Sequence, residues 1–429
     1  MKINIRKYIL SFSVAVLMPF VSAVAEERIL LLNEGLWQTD NGRLTYFEDG
    51  RIVSNQWFRD VNGMKLGDTP NDIIQVNDDL VAIALNWSNI VQFIDRDGKA
   101  VAATEDVPNN RRLATDGEYL YVTSYGHECG TVSGTKTFTK GFVAKIDLKS
   151  FKTVDAVEVG YEPEGIALYK GHLFVANTGG YAFQENHEYE KTVTVLDAST
   201  LARVRDIDTN QINLYGKLSQ SGQYLIVGSQ GDDYEIQPTT VILDCEAALS
   251  GKSDEECFEV LEYAATNTCT ATDGRFYAVG SRFSFITGDY TFNYLSIDPG
   301  EVIATDGKRG VYEEMPGTVI SDLKTMTMPY GIYVNPYTGY IYATDAGSFA
   351  TAGTLWQWTP EGKFVDKYRV YINPAHFLAL KPGSGNINPI GAEKKDDHIY
   401  DLHGNRVKVP ESGELYIRGG KKFILTNRE

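Results

Sequence analysis

The sequence predicts an all-β fold, a seven-bladed β-propeller closed by a C-terminal strand in the first blade and followed by a small β-rich tail. Three observations carry this. A short strand pattern recurs seven times: Pro70-Asn71-Asp72-Ile73-Ile74, Asn110-Arg111-Arg112-Leu113-Ala114, Pro163-Glu164-Gly165-Ile166-Ala167, Leu214-Tyr215-Gly216-Lys217-Leu218, Asn267-Thr268-Cys269-Thr270-Ala271, Pro329-Tyr330-Gly331-Ile332-Tyr333 and Pro374-Ala375-His376-Phe377-Leu378. The copies start roughly 40 to 60 residues apart, the period of a propeller blade. The grammar around each copy repeats as well, and the two ends of the chain hold complementary fragments of one blade.

After most copies a turn leads into an apolar and aromatic second strand, such as Tyr119-Leu120-Tyr121-Val122, His172-Leu173-Phe174-Val175-Ala176, Tyr224-Leu225-Ile226-Val227, Phe276-Tyr277-Ala278-Val279 and Tyr340-Ile341-Tyr342-Ala343. A loop follows, then a third strand that usually ends in Asp: Asp95, Asp147, Asp197, Asp244 and Asp298. A turn and a more polar fourth strand complete the unit. β-Branched and aromatic runs bounded by Gly, Asp and Asn are strand signals, and four strands per repeat make a blade. The first segment, Ile29–Leu66, reads as three strands with no first strand before them. The last copy, Pro374–Leu380, is a first strand with no blade behind it. Joined, they complete one blade and leave no open edge around the ring. A parallel β-helix would need shorter and more regular coils.

Residues 1–25 read as a secretory leader. Lys2, Arg6 and Lys7 precede the apolar run Tyr8–Val21, and Ala23-Val24-Ala25 is a small-x-small cleavage site before Glu26. No Cys lies near that site, so a lipid-anchored N-terminus is not expected. The propeller is expected over 26–380 and a Gly-, Pro- and Asn-rich linker over 381–397. Over 398–429, four short strand-like pieces follow: His398–Leu402, Arg406–Val409, Glu414–Ile417 and Lys422–Leu425.

Composition narrows the function. The net charge of −17 opposes binding to a nucleic-acid backbone. After leader cleavage no transmembrane segment is expected, so the chain is placed in the periplasm, on the outer-membrane surface or outside the cell. Four cysteines are present, and Cys245 and Cys257 bracket residues 246–256. In an exported chain they either close that loop as a disulfide or stay as buried thiols. No nucleophile elbow, zinc-protease motif, phosphate loop or dinucleotide fingerprint occurs. No cofactor is assignable. Asp95-Arg96-Asp97-Gly98 has the start of a calcium loop without its later acidic ligand, and reads as a turn.

The loops between second and third strands share one face with the connections that enter each first strand. Those loops are long and aromatic. They hold Trp37, Trp87, Tyr125, His127, Tyr181, Phe183, His187, Tyr234, Arg282, Phe283 and Phe349. The entry connections add Arg111, Arg112, Glu162, Tyr215, Tyr330 and His376. Rings converging with a few charges suit a flat organic ligand or a sugar through stacking and hydrogen bonds. Inter-blade packing is the competing role for each ring. Arg111 and Arg112 pair either with an anionic ligand or with carboxylates across a blade edge. The histidines share no metal-ligand spacing.

The expectation is therefore a non-enzymatic propeller that binds a small organic molecule or glycan on its loop-rich face. A protein-interaction scaffold on the cell surface is the second reading. A metal-dependent lactonase-type hydrolase is the third, and would need carboxylate and Asn ligands on the axis, where the entry strands offer Arg, Glu, Tyr and His.

Asn33-Glu34-Gly35, Asn41-Gly42, Tyr46, Asn62-Gly63 and Leu66-Gly67-Asp68 resemble the opening of the YncE-like (YVTN-type) propellers exported by gut bacteria. Gly331 to Gly339, Ile341–Ala346 and Gly353-Thr354-Leu355 resemble that family's last full blade, and Pro374-Ala375-His376-Phe377 its closing strand. The resemblance covers about residues 28–380. It implies a seven-bladed propeller, and one branch of the family captures cobamides beside a TonB-dependent outer-membrane transporter. The tail segments Ile399–Val407, Gly413–Ile417 and Gly420-Lys421-Lys422 are similar to the C-terminal sorting domains of type IX secretion.

Overall fold

The computed structural model describes residues 27–104, 107–129, 139–182, 187–232, 234–283 and 288–382, and the backbone of 399–400, 406–407, 415–418 and 421–424. The expected leader, Phe183 and most of the expected linker lie outside these residues. Two compact units are present, Met1–Lys381 and Pro382–Glu429.

The first unit is a seven-bladed propeller. Each blade is a four-stranded sheet. Blades 2 to 7 take their strands in chain order, with first strands at Pro70–Gln75, Asn110–Thr115, Pro163–Tyr169, Leu214–Ser221, Asn267–Thr270 and Pro329–Val334. Blade 1 combines the closing strand Pro374–Ala379 with Arg28–Asn33, Arg43–Glu48 and Arg51–Ser54. The closing strand pairs antiparallel with the first N-terminal strand, Leu30 opposite Leu378 and Leu31 opposite Phe377. The seven first strands lie side by side around the axis, the closing strand between those of blades 7 and 2.

The core explains why the second strands carry apolar residues on both faces. A strand sends alternate side chains to opposite faces, and in a propeller both faces meet a neighbouring blade. Ile29 and Leu31 pack toward blade 7 with Tyr342 and Leu355, while Leu30 and Leu32 pack toward blade 2 with Ile83 and Leu85. Seven apolar clusters among the described residues each straddle one pair of adjacent blades.

The repeated Asp at the end of the third strand is a turn device. Asp95 Oδ1 accepts the backbone N–H of Asp97 and Lys99, and Asp147 Oδ1 those of Lys149 and Ser150. Asp244 and Asp298 do the same for short helices, Cys245–Leu249 and Pro299–Ala304. The face bearing these tight turns lies opposite the loop-rich face.

A second device was not read from the sequence. The residue just before a first strand is left-handed in five blades: Thr69, Asn109, Glu162, Asn213 and Asn373, with φ between 44° and 58°. Its carbonyl accepts the N–H of a residue just past the second strand, as in Asn86 to Thr69, Tyr125 to Asn109, Thr178 to Glu162, Gln230 to Asn213 and Glu34 to Asn373. This bond ties the start of the first strand to the end of the second and fixes the rim of the axial channel. Glycine then lets first strands approach: a Cβ on Gly165 would lie 2.7 Å from the Gly216 carbonyl, and one on Gly331 2.7 Å from that of Ala375.

One open reading is decided and one changes. Cys129, Cys245, Cys257 and Cys269 are free thiols, and Cys245 and Cys257 are buried in the core between blades 4 and 5. In blade 6 the second strand runs to Phe283, so Arg282 and Phe283 sit on strand pairs with Thr291 and Tyr290 rather than in a loop. The second unit contains a four-stranded sheet of Ile399–Tyr400, Arg406–Val407, Leu415–Arg418 and Lys421–Ile424.

Candidate functional site

Charges from the first strands, among them Asp72, Arg111, Arg112, Glu164, Lys217 and His376, link the blades around the axis. Glu164 of blade 4 has no exposed side-chain surface. Its carboxylate accepts from Arg111 Nε at 2.6 Å and Nη2 at 3.3 Å, lies 3.2 Å from Arg112 Nη2, and accepts the Tyr125 hydroxyl at 2.8 Å. Burial alone would raise its pKa, but the two guanidiniums outweigh burial and hold it below the ordinary carboxylate value. Arg111 and Arg112 pair with a carboxylate across the blade edge, one of the two roles expected for them.

The network continues around the ring. Arg111 Nη2 donates to the Tyr215 hydroxyl of blade 5 at 3.3 Å, and its guanidinium lies 4.7 Å from the centre of the Tyr125 ring. Arg112 donates to the Asn71 carbonyl of blade 2 and meets His376 Nδ1 of blade 1 at 3.5 Å. His376 Nε2 contacts Glu34 Oε1 at 3.0 Å, and the Tyr330 hydroxyl of blade 7 donates to Glu34 Oε2 at 2.8 Å. Asp72 of blade 2 is fully buried, accepts Lys217 Nζ of blade 5 at 2.9 Å, and accepts the N–H groups of Ile73 and Leu113 at 3.0 Å. Against burial, Lys217 and Arg112 hold the Asp72 carboxyl below its usual value. Burial lowers the His376 pKa, with Arg112 acting in the same direction against Glu34.

Two cavities open beside this network. An axial channel of about 450 Å³ is walled by Tyr215, Lys217, Thr268, Tyr330, His376 and Glu34 among others. A cleft of about 470 Å³ lies between blades 5 and 6, walled by Tyr234, Ile236, Arg282, Phe283 and Tyr290. Tyr215 and Thr266 line both.

The predicted residues fall into three groups. Arg111, Arg112, Tyr125, Tyr215, Tyr330 and His376 form the axial network. Tyr181 joins it edge-on to Tyr125 at 5.5 Å, His127 lies 6.0 Å from Tyr181, and Phe349 packs edge-on to Tyr330 at 5.4 Å. Tyr234 and Arg282 line the cleft, Tyr234 with 79 % of its surface exposed. Two pairs stand apart: Trp37 and Trp87 pack edge to face at 4.8 Å across blades 1 and 2, and His187 stacks on Tyr161 at 4.0 Å beside Glu162.

Four members of the network were not singled out: Glu34, Asp72, Glu164 and Lys217. The signal was in the repeat itself, since Asp72, Glu164 and Lys217 are charges inside strands that should be core. Among the described residues no group of three or more His, Cys, Asp or Glu could hold a metal ion.

No family model and no curated protein matches the chain. Solved structures do. It is similar to hydrazine synthase from Kuenenia stuttgartiensis, with 16% identity, a TM-score of 0.53, and coverage of 73% of this chain and 92% of that one. It is also similar to a quinonprotein alcohol dehydrogenase-like protein from Bacteroides thetaiotaomicron VPI-5482, with 13% identity, a TM-score of 0.52, and coverage of 82% and 78%. At these identities the likeness is one of fold.

Proposed function

We propose that this chain is an exported propeller that binds a small organic molecule or a glycan on its loop-rich face. The observation that carries the reading is the pair of cavities sharing Tyr215 and Thr266. Their volumes fall in the range of ligand pockets, roughly 300–1,000 Å³. The cleft presents aromatic surface at Tyr234, Phe283 and Tyr290, each more than a third exposed. The channel beside it presents hydroxyls and charges. That division suits a ligand with a flat face to stack and polar groups to orient.

The proposal is capture without turnover. The engagement of Glu164 by two guanidiniums and of Asp72 by Lys217 supports it, because both carboxylates are already committed to structure. The YncE-like resemblance makes a TonB-dependent transporter the proposed partner. The sorting-like tail supports an address at the cell surface.

Thermal-shift screening of the full chain against cobamides, haems, glycans and divalent metals tests the reading, because a ligand that binds only the folded state raises the melting point. Replacing Tyr234 and Phe283 together by Ala should weaken the ligand found by at least about tenfold, or about 1.4 kcal/mol. Both are exposed, so the melting temperature should hold. A screen with no stabilising ligand, or unchanged affinity in the double variant, would remove the proposal.

A further inference from the structure

The cleft between blades 5 and 6 stands where blade 6 departs from its neighbours. The second strand of blade 6 has eight residues, where those of the other blades have five or six. Its pairing with the first strand stops at Val279, opposite Asn267. Residues 280–283 run on toward the loop face and pair with 290–293, and the fourth strand reaches only Ser296 and Ile297. The result is a two-stranded spur that walls one side of the cleft. The other wall is the turn after the second strand of blade 5. Asp232 Oδ1 accepts the N–H groups of Tyr234, Glu235 and Ile236 at 3.0, 2.9 and 2.8 Å, which sets this turn before any ligand arrives. Small residues, Gly228, Ala264 and Ala265 among them, line the space between. A Cβ on Gly228 would lie 2.7 Å from the Ala265 carbonyl.

The walls carry two kinds of group. Tyr234, Phe283 and Tyr290 hold aromatic surface in water, and clustered exposed rings mark a binding surface. Phe283 and Tyr290 are tilted 56° to each other, so they offer separate ring-sized faces rather than one plane. Beside the rings stand Gln230, Glu235, Gln237 and Arg282, whose planar ends present paired donors or acceptors. A flat macrocycle calls for one broad plane. A sugar uses both kinds of group: its C–H face packs on a ring, and its neighbouring hydroxyls each donate and accept. The described lining residues include one acidic and one basic side chain, and the net charge of −17 opposes an acidic polymer. Glycoside hydrolysis uses a pair of carboxyl groups about the bond, and the described lining residues bring one, Glu235.

We infer that the ligand of the loop face is an uncharged glycan, seated in this cleft with a sugar ring on Tyr234 and polar contacts from Glu235, Gln237 and Arg282. The inference rests on the proposed capture role and names the chemical class of its ligand.

The test applies the labelled full chain to an array of neutral oligosaccharides of glucose, galactose, mannose and N-acetylglucosamine, with sulfated and uronic-acid glycans alongside. At least one neutral series should bind. Calorimetry should show its affinity rising from the monosaccharide to a short oligomer, then levelling once the cleft is filled. Tyr234→Phe keeps the ring and should stay within about twofold of wild type, whereas Tyr234→Ala should lose at least about tenfold. Arg282→Met keeps the stem without the polar end and should also weaken binding. Both positions are exposed, so the melting temperature should hold in each variant. No neutral glycan bound, binding confined to acidic glycans, or affinity indifferent to both Tyr234→Ala and Arg282→Met would overturn the inference. If a cobamide or haem from the thermal screen binds instead, and loses affinity in the Tyr234 and Phe283 variant, capture on the loop face stands and the glycan alone falls.

Discussion

Around Glu164, three buried residues hold one another in place, and removing any one strands the rest. Glu164→Gln leaves Arg111 and Arg112 without their carboxylate, and breaking a buried pair from one side costs about 3–5 kcal/mol. Urea denaturation at pH 7 should show that loss. Acid should reproduce it gradually. The folded-state pKa values of Glu164 and Asp72 lie below the unfolded ones, so the native state binds fewer protons. Their stabilisation is complete above the ordinary carboxylate range, about pH 4 to 4.5, and is lost as pH falls through the lowered values. His376 has the same sign, its share being present above about pH 6.5 and lost below it. Stability measured from pH 7 to pH 3 should therefore fall in two stages, and Glu164→Gln should flatten the more acidic one. The residue level was partly legible. Arg111, Arg112, Tyr215, Tyr330 and His376 stood out because charged or aromatic residues entering a strand are conspicuous. Glu164 and Asp72 stand at the places of Arg111 and Arg112 in their own copies of the repeat, but a charge whose partner is another blade carries no mark of that in the sequence. Sequence spacing does not show that Lys217 reaches Asp72 across the axis, since 145 residues separate them.

Strands were easier to read than the devices that hold them. The apolar second strands follow from burial on both faces, and the Asp after the third strand from its turn geometry. The helices Trp57–Asn62, Cys245–Leu249, Pro299–Ala304 and Val319–Leu323 were not foreseen, because helices of five or six residues are too short to show a period. The left-handed residue before the first strand also escaped notice. Asn at three of the five places is the chemical hint, since Asn tolerates this conformation better than most residues, yet Thr69 and Glu162 blur it. Asn213 offers a clean measurement. Asn213→Gly and Asn213→Val both lose the side-chain hydrogen bond to the Gly231 carbonyl. They differ in backbone tolerance at φ 58°. Val should be less stable than Gly by about 1–2 kcal/mol, read as a difference in denaturation midpoint multiplied by the common slope. Equal stability would mean that the rim bond does not depend on this conformation.

For the whole molecule, closure decides stability. Every apolar cluster belongs to two blades, so no blade holds a core alone, and the ring is complete only when the closing strand joins Arg28–Asn33. Ending the chain before Pro374 would expose Leu31 and Leu32 along one edge and open the cluster shared by blades 7 and 1. The shortened protein should aggregate or lose its single cooperative transition in calorimetry. Removing 386–429 should leave that transition nearly unchanged. The closing strand has one more consequence, which concerns direction. Arg28 and Ala379 are neighbours at the end of blade 1 that carries the tight turns, while Asn33 and Pro374 mark its other end, beside the mouth. A tether attached to either end of the propeller would leave from its back. If the proposed capture role holds, the mouth, on the face opposite Arg28 and Ala379, would be left clear of such a tether.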